Sequence, residues 1–170
     1  MKSPIWTNIF KNKKSKEALE FDAIKEAIIF QGLKNKDLKF IQTMVYSRKY
    51  KNGDYIFKKG HPGDGMYIIL KGEVQIIDKN NNDSKDILLA TLGNKDFFGE
   101  LSLLDKSSRS ASALCSDETE ALGFFRGDLL DIVNRKPIIG SKIVLNISRI
   151  LAERLRVTNN KLYELQKNIK

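Results

Sequence analysis

The middle of the chain alternates short apolar runs with turn residues, a pattern typical of antiparallel strands. Six such runs, separated by Gly, Asn and Asp at spacings of roughly 8 to 14 residues, read YIFKKG, GMYIIL, EVQIID, DILLATL, ASALC and EALGFF. These spacings leave no room for the helices of about 10 to 15 residues that join parallel strands. We therefore predict an antiparallel roll or barrel at the centre of an α+β fold, and of the two we favour a β-roll of the jelly-roll type.

The upstream flank carries helical spacing instead of strand spacing. Its apolar residues on one helix face are Leu38, Ile41, Met44 and Val45. We expect this helix to begin at Asn35 or Asp37 and to cap one end of the roll.

Downstream of Pro137, a second apolar seam follows a heptad-like spacing. Its members are Val144, Leu151, Leu155, Thr158, Leu162, Leu165 and Ile169, with Ser148 as a further polar position. Such a helix either lies back on its own roll or pairs with a second copy in a parallel coiled coil. We favour the coiled coil, and therefore a homodimer through residues 140–169.

These patterns predict one core with appended helices. Residues 1–25 would form a basic, helical N-terminal extension, 26–136 the β-roll, and 137–170 a C-terminal lid and dimerisation helix. The segment KNNNDSK, 79–85, is predicted to be a hairpin tip.

Composition excludes several classes. The 170 residues are 41% hydrophobic and 30% charged, and no apolar run approaches the roughly 20 residues that cross a bilayer. The N-terminus lacks the apolar stretch of a secretory signal. We expect a globular cytoplasmic protein without membrane contact.

The chain has one histidine, His61, and one cysteine, Cys115. Zinc sites need several such ligands, so we expect neither a metal nor a disulfide. We interpret Cys115 as a buried, inert thiol rather than a nucleophile, and His61 as a solvent-facing loop residue.

The net charge of +9 is spread along the chain. Its densest run, Lys11, Lys13, Lys14 and Lys16, is interpreted as a solvated tail. The apolar residues ahead of it could lie on a membrane, but we favour docking against the protein's own helices; they are Ile5, Trp6, Ile9 and Phe10.

Residues 97–112, FFGELSLLDKSSRSAS, carry the candidate chemistry. Gly99 followed by a short helical turn would offer N–H groups to an anion. Arg109 could return to the same pocket and pair with two phosphate oxygens. Glu100 fits beside an anion if it accepts a hydrogen bond from a sugar hydroxyl. A sugar bearing a singly charged phosphodiester satisfies both residues.

This segment resembles the phosphate-binding cassette of cyclic-nucleotide-binding domains, which occur in bacterial cAMP receptor regulators, gated channels and kinases. Further matches, in the family's order, are Lys51–Asp54 with Ile56, Pro62–Asp64 with Met66–Ile68, and Lys71–Val74. The resemblance extends over about residues 26–165. One departure is Ser108, where many members have proline, and this change removes no ligand group.

The resemblance implies a set of ligand contacts. Phosphate and ribose contacts would be Gly99, Glu100, Arg109, Ser110 and Ala111; Ile76 and Leu89 would line the base; and Phe98, Leu101 and Ser102 complete the cassette part of the site.

Residues 152–161 are similar to the dimerisation helix of the cAMP receptor regulators. This similarity adds Arg154 to the site and places Thr158 at the adenine amino group. Alternatively, Thr158 only sets the register of a coiled coil. Those regulators continue into a winged helix-turn-helix, whereas this sequence stops at Lys170, so we expect no nucleic-acid binding.

The sequence therefore predicts a stand-alone, non-catalytic sensor with no cofactor. Its ligand would be cAMP, with cGMP the second choice, and its C-terminal helix would pass a conformational change to an effector protein whose identity is not predicted. The alternative is a β-roll scaffold or dimerisation module that no longer binds a nucleotide. A cupin-type enzyme would need several histidines, and a nucleic-acid-binding remnant would show steep salt dependence.

Overall fold

The computed structural model describes residues 16–79 and 86–168. Within them lie helix α1 over 16–26, a 3₁₀ turn at Ile28–Phe30, and helices α2 (Asn35–Gln42), α3 (Leu101–Leu104), α4 (Arg126–Arg135) and α5 (Pro137–Asn168). The strands of the same residues are β1 (Tyr46–Tyr50), β2 (Tyr55–Phe57), β3 (Gly65–Lys71), β4 (Val74–Lys79), β5 (Asp86–Leu92), β6 (Phe97–Phe98), β7 (Ser112–Cys115) and β8 (Thr119–Phe125).

The strands form two four-stranded antiparallel sheets, ordered β1-β8-β3-β6 and β2-β7-β4-β5. All six predicted strand segments contribute to them, and the predicted β-roll is confirmed. Strands β1 and β6 were not predicted. Strand β1, YSRKY, has no continuous apolar run because it is an edge strand with three of its five residues exposed.

Strand β3 is buried on both faces, which explains its unbroken apolar run. Met66 and Ile68 join the core beneath the helices. Tyr67 and Ile69 point the other way, into the core that includes β7 residues. Because successive side chains of a strand alternate between faces, β3 holds the helical layer and the roll together.

Helix α1 and the first half of α5 belong to the helical layer. Ala23 and Ile24 of α1 are buried with Ile139 and Ile143 of α5. The predicted domain boundary after residue 25 therefore falls inside a helix that packs on the core, whereas the boundary after residue 136 falls between α4 and α5.

Helix α2 begins at Asn35 as one of the two predicted starts, but Asn35 does not cap it. Lys34 stands at the cap position, and its carbonyl accepts hydrogen bonds from the N–H groups of Asp37 and Leu38. The helix ends at Gln42, so Met44 lies beyond it and packs on the core from the following segment.

Helix α5 leaves the core about halfway along its length. Asn146 anchors its first half, since its buried Nδ2 donates to the carbonyls of Ile29 and Gln31 at 3.1 and 2.9 Å. From residue 152 to 167 every side chain is exposed. The helix therefore packs on its own core along the first half, while the second half contacts the roll through Arg154 and leaves its apolar stripe exposed.

Exposed seam residues of the second half are Leu155, Leu162 and Leu165, at 61%, 54% and 61% exposure. Several sequence predictions fall outside the described residues. These are the roles of Ile5, Trp6, Ile9, Phe10, Lys11, Lys13 and Lys14, the hairpin tip at 80–85, and the seam position Ile169. Lys16 is described, and it pairs with Glu120 at 2.9 Å rather than standing in a free tail.

Candidate functional site

Gly99 makes the turn that joins β6 to α3. Its φ is +80°, a conformation that residues with a Cβ adopt only at a cost. A Cβ at this position would also lie 2.7 Å from Arg109 Nη1. The glycine therefore allows both the turn and the close approach of the guanidinium.

The side chain of Arg109 lies beneath this turn. Its Nη1 donates to Ser102 Oγ at 3.0 Å and to the Gly99 carbonyl at 3.3 Å. The guanidinium carbon lies 4.0 Å from the centroid of the Phe57 ring, in a cation–π contact. These contacts hold the fork of Arg109 in one orientation.

The backbone of Arg109 is fixed by the loop between β2 and β3. Its N–H donates to the His61 carbonyl at 2.8 Å, and its own carbonyl accepts from Gly60 N–H at 2.8 Å. The His61 side chain is exposed in this loop, as predicted.

Arg109 is a buried cation whose charge is only partly offset, because Asp64 acts on it without forming an ion pair in the described residues. It is 6% exposed, and no carboxylate of residues 16–79 and 86–168 forms an ion pair with it. Its Nε is buried without a hydrogen bond in the same part of the chain. Burial lowers the pKa of Arg109 from its ordinary value, because desolvation disfavours the charged form. An anion held beside the guanidinium would offset that cost.

Glu100 lies next to Gly99 with its side chain only 2% exposed. Its Oε1 forms an ion pair with Arg154 Nη1, from the exposed half of α5. Arg154 also lies near the ring of Phe97, at 6.0 Å from its centroid. The pair connects the cassette to α5 directly.

These residues surround a cavity of about 680 Å³. All the site residues predicted from the sequence line it, namely Ile76, Leu89, Phe98, Gly99, Glu100, Leu101, Ser102, Arg109, Ser110, Ala111, Arg154 and Thr158. Their placement around one cavity is a finding, and their individual contacts with a ligand stay predictions.

The cavity also has lining residues that were not predicted, namely Phe57, Ala90, Leu92, Phe97, Ser107, Ser108 and Lys161. The neighbours in sequence of predicted residues could have been inferred from proximity. Lys161 could have been found from helical spacing, since it lies three residues after Thr158 and seven after Arg154. The sequence held no comparable signal for Phe57, on a separate strand.

The cavity joins a polar end to an apolar wall. The polar end is the cassette with Arg109 and Glu100, while Ile76 and Leu89 of the β4–β5 pair supply apolar surface. Helix α5 supplies Arg154, Thr158 and Lys161. Such a cavity can hold a small anion joined to a sugar and a flat apolar ring.

A protein-family model described as the cyclic nucleotide-binding domain matches residues 47–136. The chain belongs to this family. The resemblance inferred from the cassette is thereby confirmed. The match begins in β1 and ends at the residue before α5.

Curated relatives match a longer part of the chain than the family model does. The cyclic AMP receptor protein of Thermus thermophilus is 34% identical over 133 residues, covering 78% of this chain and 59% of that protein. A CRP-like cAMP-activated global transcriptional regulator of Mycobacterium tuberculosis is 33% identical over 144 residues, covering 85% of this chain and 62% of that protein. The chain thus spans about three fifths of the length of these relatives.

The fold is also similar to a solved structure, the Thermus thermophilus catabolite activator protein. That match has a TM-score of 0.73 and 33% identity, and it covers 82% of this chain and 63% of the other. The β-roll is therefore an architecture that this family member shares.

Two other features of the described residues bear on function. Cys115 is buried in β7 at 1% exposure, and burial raises the pKa of its thiol, as expected of an inert cysteine. No helix in the described part of the chain combines enough length and apolar character to cross a membrane.

Proposed function

We propose that this cyclic nucleotide-binding domain is a non-catalytic sensor that binds cAMP, with cGMP as the weaker ligand. The observation that carries the proposal is Arg109, a buried guanidinium at the cavity with no carboxylate partner in the described residues and an unbonded Nε. A cyclic phosphodiester would supply the missing negative charge and two acceptor oxygens for the guanidinium fork.

Glu100 would bind the ribose of that ligand. A carboxylate accepts a hydrogen bond from the 2′-hydroxyl, and Arg154 already neutralises its charge. The negative phosphate can therefore lie near Glu100 without strong repulsion. The base would lie along Ile76 and Leu89, with the Thr158 hydroxyl at its polar edge.

Transmission would use α5. Arg154 connects the second half of α5 to Glu100, so a ligand that binds Glu100 and Thr158 contacts the cassette and the helix together. If these contacts form in only one arrangement of α5, the ligand favours that arrangement by their free energy. The output would pass to an effector protein.

The proposed assembly is a homodimer through the second half of α5. Its exposed stripe includes Leu155, Leu162 and Leu165, and pairing two such stripes removes apolar surface from water.

The absence of catalysis is part of the proposal. Among the described residues that line the cavity, Glu100 is the single carboxylate, and neither His61 nor Cys115 is included. Since Glu100 is paired with Arg154, the described lining offers no free carboxylate, histidine or cysteine to act as a general base. The proposed compartment is the cytoplasm, which suits a buried free cysteine.

Calorimetric titration of the full chain with cAMP and with cGMP tests the proposal. We expect saturable binding of both, with cAMP tighter. Adenosine 5′-monophosphate is the control, because it has the same base and ribose but an open phosphate monoester. That group carries more negative charge than the cyclic phosphodiester and is not held in a ring with the ribose. If neither cyclic nucleotide binds, the chain is instead a scaffold or dimerisation module and the sensor proposal is wrong.

A further inference from the structure

Lys161 faces the candidate cavity from the far part of α5. It lies one turn beyond Thr158 and two turns beyond Arg154, and all three residues line the cavity. Residues spaced by three, four or seven positions share one face of a helix. The cavity-facing side of α5 thus presents a guanidinium, a hydroxyl and an ammonium in order along its axis.

The Lys161 ammonium is unpaired in the part of the chain that the structure describes. No carboxylate within residues 16–79 or 86–168 forms an ion pair with it. Its neighbours on the helix differ in this respect, since Arg154 pairs with Glu100, Arg156 with Glu153 and Lys167 with Glu164. Lys161 is therefore available to a ligand.

An ammonium can donate hydrogen bonds but cannot accept them, unlike the Thr158 hydroxyl, which does either. Guanine presents two adjacent acceptors, O6 and N7, which a lysine recognises together. Adenine presents N7 beside an amino group, and an amino group does not accept from an ammonium. At the 6-position of a purine, Lys161 can therefore bind only an acceptor, whereas Thr158 can bind a donor or an acceptor.

We infer that Lys161 is a specificity-determining residue that favours cyclic nucleotides with a 6-oxo purine. It thereby reduces the difference in affinity by which cAMP is preferred over cGMP. This inference rests on the proposed function, because it places the purine between the β4–β5 wall and α5. Thr158 favours the adenine amino group and the apolar wall accepts either purine, while Lys161 adds affinity only when the 6-position is an acceptor.

The test is titration of Lys161→Met with cAMP, cGMP and inosine 3′,5′-cyclic monophosphate. Methionine keeps an unbranched stem of similar length and removes only the charge and the donors. We expect cGMP and the inosine ligand each to weaken about three- to tenfold, which is the effect of a charged hydrogen bond reduced by solvent exposure. The affinity for cAMP should change less than twofold.

The inosine ligand distinguishes recognition of the O6 and N7 acceptors of guanine from recognition of its 2-amino group. It has the O6 and N7 acceptors but lacks the 2-amino group, so a loss shared by cGMP and the inosine ligand assigns Lys161 to the 6-oxo edge. A loss for cGMP alone would contradict that assignment.

Lys167→Met is the matched control, because it removes the same charge from the same helix at a position that does not line the cavity. We expect it to leave all three affinities unchanged. If Lys161→Met weakens the three ligands equally, the ammonium acts only on the phosphate charge and the inference is wrong. An unchanged ratio of affinities also overturns it. If the parent chain binds no cyclic nucleotide at all, the proposed function itself fails, an outcome distinct from either of these.

Discussion

Arg154 of α5 forms an ion pair with Glu100, whose carboxylate is buried beside the cassette turn. The two residues are 54 positions apart in the chain, so the pair is a tertiary link between the exposed half of α5 and the candidate ligand pocket. Glu100 can then hold a negative charge inside the protein because a guanidinium compensates it.

Glu100 is predicted to accept a hydrogen bond from the 2′-hydroxyl of the ribose. Glu100→Gln should weaken cAMP binding less than removal of Arg109 does, because an amide oxygen still accepts from a hydroxyl although the charge-assisted part is lost. Titration with cAMP and 2′-deoxy-cAMP checks the role. The parent should bind 2′-deoxy-cAMP more weakly than cAMP. Glu100→Ala should bind the two ligands with similar affinity, because its contact with the 2′-hydroxyl is already lost. Equal sensitivity of the parent and Glu100→Ala to the deoxy ligand would exclude the ribose contact.

Arg109 is predicted to hold the phosphate. Arg109→Ala should weaken cyclic-nucleotide binding by about 2 to 5 kcal/mol, which is roughly 30-fold to several thousand-fold in the dissociation constant. Arg109→Lys keeps the charge but not the fork, so it should fall between the parent and the alanine variant.

Arg135→Ala is the matched control for Arg109, since the Arg135 side chain is exposed on α4 and its ion pair in the described residues is with Asp131. Calorimetry measures affinity, and circular dichroism establishes that each variant is folded. Binding of Arg109→Ala within about threefold of the parent would contradict the phosphate role, because one hydrogen bond to a charged group is worth more than that.

Thr158 is predicted to contribute to the preference for cAMP over cGMP, which we expect to be about 1 to 3 kcal/mol, the size of one unmade buried hydrogen bond. Thr158→Val keeps the shape of the side chain and removes the hydroxyl. It should remove most of the preference while phosphate binding persists. Titrations in which the preference survives in Thr158→Val would instead favour the role of Thr158 in setting helix register.

The second half of α5 is predicted to pair with a second copy of the chain. Changing both Leu155 and Leu162 to Glu places two charges on the exposed apolar stripe and should give a monomer by light scattering. The control is Val157→Glu with Asn160→Glu, which adds the same charge to α5 off the seam and should leave the dimer intact. A parent chain that is already monomeric at tens of micromolar would refute the pairing.

The rate at which Cys115 is alkylated is predicted to measure how often the roll opens. The thiol is buried and its pKa is raised by burial, so the folded protein keeps it protonated and should react slowly with iodoacetamide at neutral pH. A ligand that binds only the folded state stabilises it by mass action. Saturating cAMP should therefore slow the alkylation of Cys115 further, measured by mass spectrometry. Alkylation at the rate of a free thiol in the native protein would contradict the prediction.

The roll could be predicted from the sequence because its strongest signals are local. Strand β3 reads as a continuous apolar run since both of its faces are buried, and the turn at Gly99 lies within the same short segment as Glu100 and Arg109. Residues that follow one another closely are brought together by a few backbone conformations. The cassette could therefore be predicted from the sequence without any tertiary contact.

Strand β1 could not be predicted in the same way. Its sequence, Tyr46–Tyr50, is largely polar, and it is a strand because β8 pairs with it along its length. The pairing partner lies about seventy residues further along the chain, since Tyr46 pairs with Gly123 and Tyr50 with Thr119. Strand preference at an edge depends on such partners more than on the residues themselves.

The sequence by itself determined the apolar periods of the roll and α5 and the order of the cassette residues. Only the tertiary structure decided that α5 leaves the core after Leu151, that Arg154 meets Glu100, and that Lys161 faces the cavity. The heptad spacing of α5 is the same whether its apolar stripe contacts the roll or another helix. Which of these it contacts depends on the direction in which α5 leaves its anchor at Asn146, and that direction is set by packing between distant parts of the chain.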